Sequence, residues 1–560
     1  METRAGFWRR HRWLTWTGGF LLAVLAAMAG AVLVLAHRAE PMMRARIVQE
    51  LEEHFHARVE LDSFHLSLRG GLWVEGEGLR IWPPAQVAGV AVPGSAASPV
   101  GPLIRLAEFR FHAPFDYKLR QAIHISVVQL KGLDVDLPPR SHFEHAGEEA
   151  PVPARPSAGL LRFDVDSLEC RGAHLTVETS KPGKLPMEFA IAELKLAGIS
   201  AVGAMSYEAE LTNPRPVGTI HTQGRFGPWL VADPGETPIG GDYRFEHADL
   251  SGFKGIAGIL NSTGRYQGTL RDLVVDGETD TPDFRLSHFG TALPLHTNFH
   301  AKVDATNGDT WLEPVEATLG HSHFWAQGQI VRVAAVGNGG NGPGGSQWAG
   351  HDIALNVNVD HGRMEDFLRL TSRSGAPLLT GALTMKAGLE IPPGPVPVHE
   401  RLRLTGTFAL EDAQFASAKI QSRIGELSAR GLGQPKEAKT GVGAEVRSAM
   451  KGSFQITAGV VRLPAIEYTV PGAVIDLKGT YGMDGGTLNF TGTAKLQATL
   501  SGLVGGWKGM LLKPLDRYFE KDGAGTEVPI HVDGTRENPH FGIDFDRMKG
   551  SSAERPGETH

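Results

Sequence analysis

The stretch Val59-Glu60-Leu61-Asp62-Ser63-Phe64-His65-Leu66-Ser67-Leu68-Arg69-Gly70-Gly71-Leu72 decides the architecture. Val59 and Leu61 alternate with Glu60 and Asp62, Leu66 and Leu68 follow, and two glycines precede Leu72 and Val74. A period of two, cut by glycine, is the signature of a half-buried antiparallel strand and its turn. Outward from this stretch the pattern repeats at Leu79 and Ile81, at Ile123, Ile125 and Val127, and at Leu133, Val135 and Leu137. Leu161, Phe163 and Val165 alternate with Arg162, Asp164 and Asp166. Near the end come Phe454 and Ile456, Val461 and Leu463, Ile466, Tyr468 and Val470, and Leu488 and Phe490. The expected fold is mostly β, with one apolar and one polar face to the sheet.

Composition agrees. The chain has 560 residues, 70 of them glycine, and the Gly-rich turns between strands account for that excess. Apolar residues at 41% and charged residues at 21% exclude a disordered chain. A net charge of −7 and a pI of about 6.4 argue against a nucleic-acid partner. Cys170 is the one cysteine, so no internal disulfide is available, and its polar neighbours predict a half-buried, non-nucleophilic thiol.

Residues 1–12 carry Arg4, Arg9, Arg10 and Arg12 and precede an uncharged run over 13–36. At ~1.5 Å per residue that run is long enough to cross a ~30 Å hydrocarbon core with tilt. A cleaved signal peptide is the alternative, but its apolar region covers only ~7–15 residues. The expectation is an uncleaved single-pass anchor with residues 1–12 cytoplasmic and the bulk of the chain translocated. Residues 41–56 read as a helix, with Met43, Ile47, Leu51 and Phe55 on one stripe. It either caps the first strands or lies on the membrane surface.

Composition shifts divide the rest. A first β region covers 37–137, a Pro-rich loop 138–158, a middle β region 159–334, a Gly-rich loop 335–350, a last β region 351–548 and a polar tail 549–560. At ~12–14 residues per strand and turn, about 30 strands fit. Residues 501–519 read as a capping helix, with Leu503, Trp507, Met510, Leu511, Leu515 and Tyr518 at helical spacing. Membrane contact is the other reading of that helix.

Motifs of chemistry are weak. Gly340-Asn341-Gly342-Pro343-Gly344-Gly345 spells a dinucleotide fingerprint but has no helix after it. Gly320-His321-Ser322-His323-Phe324 resembles a nucleophile elbow without its closing glycine. His321 and His323 could share a strand face as two zinc ligands, with no third ligand identifiable. No catalytic, metal or cofactor-binding residue is assigned, and the expectation is that the chain is not an enzyme.

The layout resembles the AsmA-like family of diderm bacterial envelope proteins. The resemblance rests on the anchor, short helix and strands of the N-terminus. It rests also on Leu404-Thr405-Gly406-Thr407-Phe408-Ala409-Leu410-Glu411-Asp412-Ala413-Gln414-Phe415 with Ile424-Gly425-Glu426-Leu427-Ser428, each read as a strand–turn signal. The most specific part is the C-terminal region, through Gly452-Ser453-Phe454, Pro471 to Tyr481, Leu488 to Gly492 and Val528 to Phe541. It covers roughly the first 80 and the last 200 residues. The resemblance implies a long antiparallel sheet curled into an apolar groove, kinship with bridge-like lipid transfer proteins, and phospholipid movement between inner and outer membrane. It supplies no catalytic residues.

Under that reading Val59, Leu61, Leu66, Leu68, Leu161, Phe163, Val165, Phe454, Ile456, Val461, Leu463, Ile466, Tyr468, Val470, Leu488 and Phe490 line the groove. The implied partners are the inner membrane, phospholipid and other envelope proteins. A factor for outer-membrane protein assembly that pairs strands and carries no lipid is the competing reading. Alternation alone serves an open groove and a closed sandwich equally.

Overall fold

The computed structural model describes residues 40–543, apart from segments of which the longest are 83–100, 114–122, 138–162, 335–348, 435–445 and 499–519. The expected anchor over 13–36, the expected loop 138–158, most of 335–350, the expected helix 501–519 and the expected tail 549–560 lie outside the described residues, as do Leu68 and Leu161. No described helix is long and apolar enough to cross a membrane. The fold is mostly β with few helices, and 26 hydrogen-bonded strands are found among the described residues.

One pairing departs from the antiparallel expectation. Ile123–Leu137 and Phe163–Val177 run parallel, in unbroken register from Ile123 with Phe163 to Leu137 with Val177. Parallel neighbours need a connection of a dozen or more residues, because the chain must return to the end it started from. The Pro-rich stretch is that connection, which a hairpin turn could not be.

The chain divides into two compact units. The first runs to Ile239 without residues 181–185 and 213–221; the second comprises those two segments and everything from Gly240. In the first, the residues described between 40 and 52 are helical. Met43, Ile47 and Val48 pack against a core of Leu61, Phe64, Val74, Leu106, Phe109, Phe111 and Ile125. This helix therefore caps the first strands. The Glu52 carboxylate accepts the Val59 backbone N–H at 3.2 Å and ties the helix end to the first strand.

A row of kinks crosses the first unit. Gly78, Ala107, Gly132 and Gly172 fall at matching positions of four adjacent strands, between Glu77–Glu108–Lys131–Arg171 and Leu79–Leu106–Leu133–Ala173. On one side of this row the inward residues include Val74, Phe109, Phe111, Val128 and Leu130; on the other they include Leu79, Leu106 and Leu133. Odd and even positions thus exchange roles at the row, yet both halves feed one core. A one-residue change of parity ordinarily turns a strand's apolar set to solvent. Backbone of positive φ at Gly78 (67°), Gly132 (64°) and Gly172 (67°) absorbs the change, and glycine adopts it without a Cβ clash. The row ends at a bulge between Ile191 and Glu193, beyond which the strand Met205–Pro214 alternates without a break.

Cys170 sits beside this row and is 2% exposed, so it is buried, against the half-buried expectation. Burial raises its thiol pKa, which keeps it protonated and unreactive.

In the second unit two helices pack on the apolar face, Met364–Thr371 and Ala418–Gly431. The second corrects the sequence reading, in which Ile424 to Ser428 signalled a strand and turn. Ser417 caps it, its hydroxyl accepting the Ile420 N–H at 3.4 Å. Ile420, Ile424 and Leu427 then recur at helical spacing and meet the sheet.

Candidate functional site

The apolar face of the second unit is built in rows that run across the strands. One row is Leu383, Leu410, Met450, Tyr468, Ile475 and Ala494, each paired with the next. All but half-buried Met450 are buried. Met364 and Phe367 of the first helix pack at Leu383 and Leu410. Ile420, Ile424 and Leu427 of the second share a cluster with Tyr468, Ile475 and Ala494. Burial raises the pKa of the Tyr468 hydroxyl, as expected where water is excluded.

A second row lies further along the same strands: Leu355, Leu389, Leu404, Ile456, Val461, Tyr481 and Leu488, again each paired with the next. Every one of these is half-buried. None joins a buried cluster among the described residues. Six steps at ~4.8 Å between strands make this row about 29 Å long. A bulge between Leu463 and Ile466 keeps both ends of Val460–Val470 on the apolar face, since the inward residues are Val461 and Leu463 before it and Ile466, Tyr468 and Val470 after it.

The opposite face is wet and charged. Lys451 pairs with Glu467 at 2.9 Å and Lys495 with Asp476 at 2.9 Å. The hydrogen bond and charge of Asp476 raise the pKa of Lys495, whose side chain is half exposed. Such pairs contribute little stability each, but they fix which face meets water.

No family model, no curated protein and no solved structure matches the sequence.

The residues singled out by alternation separate into groups. Ile456, Val461 and Leu488 lie in the open row. Leu463 and Phe490 flank Gly479 in the adjoining row and are half-buried, while Phe454, opposite Gly406, is buried. Tyr468 and Val470 belong to the cluster beneath the helix Ala418–Gly431, and Ile466 is 7% exposed. In the first unit Val59 and Leu61 are buried, and Leu66 and Val165 pack on the core that the N-terminal helix covers. Phe163 opens its strand. The six residues of 501–519 lie outside the described residues. Alternation missed Leu355, Leu389, Leu404 and Tyr481 as members of this row; the clearest signal is the run Leu383, Met385, Ala387, Leu389, Ile391.

The elbow-like segment is a hairpin turn. Gly320 (φ 59°) and His321 join the strands Asp309–Leu319 and Ser322–Ala334. Ser322 is fully buried and donates its hydroxyl to Asp366 at 2.9 Å, and the His321 backbone N–H donates to the same carboxylate at 2.9 Å. These bonds fasten the helix Met364–Thr371 to the hairpin, and no substrate can reach a buried hydroxyl. Among the described residues no three His, Cys, Asp or Glu side chains gather to hold a metal.

Proposed function

We propose that this chain is an inner-membrane-anchored periplasmic protein that moves or shields phospholipid between the inner and outer membranes. The observation that carries the reading is the row from Leu355 to Leu488, seven paired apolar side chains left half-buried on a face that helices cover elsewhere. Each methylene taken from water onto such a surface is worth about 0.8 kcal/mol, so acyl chains find there a path outside a bilayer. The row runs across the strands, so it lengthens with every strand added and gives a lipid neighbouring positions to move between.

The test is lipid content. Full-length protein, purified in mild detergent, is analysed by mass spectrometry beside a Val461→Asp variant. The reading expects co-purifying phospholipid with the parent chain and a clear loss with Val461→Asp, whose melting temperature falls by no more than a few degrees. A lipid-free parent, or equal lipid in both, removes the reading.

A further inference from the structure

The polar face of the second unit carries a concavity that the lipid reading does not use. Its volume is about 580 Å³, and its walls come from four consecutive strands. Trp325 is in register with Asn358 and Lys386, and Gln327 with Asn356 and Gly388. These six residues share one face of the strands, the intervening Ala326, Val357 and Ala387 also border the concavity, and Pro314 closes one side at a bulge.

Three features point to a ligand. The first is Gly388. It sits mid-strand without a positive φ, and a Cβ built there meets nothing within 4 Å. Neither backbone nor packing requires glycine, although glycine inside a strand weakens it and frequently marks close approach by a ligand. The second is the accessible polar chemistry. The side chains of Gln327, Asn356 and Lys386 are exposed and that of Asn358 is half-buried, so their polar groups are open to a ligand from solvent. Three amides offer paired donors and acceptors, and Lys386 offers a cation. The third is Trp325, half-buried and held edge-on by His323 with ring centroids 4.8 Å apart and planes at 89°. It forms one wall of the concavity.

We infer that this concavity binds a saccharide bearing an acidic group. A flat indole, adjacent amides and open floor space are what a sugar ring needs: its C–H face lies on the aromatic ring and its hydroxyls exchange hydrogen bonds with the amides. Lys386 pairs with a carboxylate or phosphate on the sugar. Apolar ligands are disfavoured because they would strip water from three amides without replacing its bonds. The site lies on the face opposite the open apolar row, and it stands or falls independently of lipid binding.

The experiment uses the full chain in nanodiscs, which carry no sugar headgroups, and isothermal titration calorimetry with tetragalacturonate, chitotetraose and maltotetraose. The expected result is binding of tetragalacturonate. Trp325→Ala weakens it at least tenfold. Lys386→Gln weakens tetragalacturonate and leaves any neutral-sugar binding unchanged. Gly388→Val fills the floor and abolishes binding, with a melting temperature equal to or above the parent's because β-branched residues suit strands. Absence of tetragalacturonate binding, whatever the neutral sugars do, overturns the inference, and so does full binding by a folded Gly388→Val protein.

Discussion

Two rows of apolar side chains in the second unit share strands, face and chemistry, and differ in what lies over them. Leu383, Leu410, Tyr468 and Ile475 are sealed beneath two short helices; Leu389, Leu404, Ile456 and Val461 are half-buried and, among the described residues, joined to no such cluster. The strand sequences barely distinguish them. What separates them is helix-forming sequence elsewhere in the chain, Ser417 and its stripe in one case and the Asp366 tie in the other. A row's role therefore depends on its cover as much as on its own residues.

Charge substitution should break the comparison most forcefully. Leu410→Asp puts an unpaired carboxylate at a position 1% exposed, and it should cost several kcal/mol and unfold the second unit. Val461→Asp, on the open row, keeps the carboxylate partly hydrated and should cost no more than about 1–2 kcal/mol. Chemical denaturation of both variants checks this; equal losses would show that the two rows are the same kind of core.

Loosening the cover comes next. Ser417→Ala removes the cap of the helix Ala418–Gly431 and should cost about 1 kcal/mol. Hydrogen exchange should speed up in the helix and around Tyr468 and Ile475, and stay constant around Leu404 and Val461.

A smaller effect should appear in alkali. Burial raises the Tyr468 pKa above its ordinary 10.0, so the folded protein prefers the neutral phenol. Its contribution is complete below the unfolded pKa and is lost as pH rises through the folded value. Denaturation between pH 9 and 11.5 should show the parent losing stability more steeply than Tyr468→Phe; identical slopes would mean that the hydroxyl is not sealed.

Least of all should come from the outer face. Glu467→Lys exchanges an exposed ion pair with Lys451 for a repulsion, and should cost under about 1 kcal/mol without altering lipid content. The urea midpoint is the measurement, and a larger drop would assign this face a structural role that its exposure does not suggest.

Much of this was legible in the sequence. Alternation located strands and faces correctly through the bulge in Val460–Val470, because Val461, Leu463, Ile466, Tyr468 and Val470 already change parity in the letters. It located the helix over Met43 and Ile47. It could not tell Tyr468 from Ile456, since burial under a helix is a long-range property and both are inward strand residues. The helix Ala418–Gly431 was misread because Gly425 and Ser428 look like turn residues, while its cap and stripe become informative only when read together. The parallel pair was hidden because strand residues carry no mark of direction. Cys170 looked half-exposed beside Glu169 and Arg171, as alternation does not report how tightly an inward position is packed.

The kink row through Gly78, Ala107, Gly132 and Gly172 has a consequence for how such a chain can change over generations. Each glycine must stay abreast of its neighbours, so a single-residue insertion or deletion in any one strand throws that strand out of step and turns half its apolar residues to water. Gains and losses confined to the connections leave the alignment intact. A lineage can therefore lengthen this unit by duplicating whole hairpins, kink included, and trim its loops freely, but it cannot grow by ones.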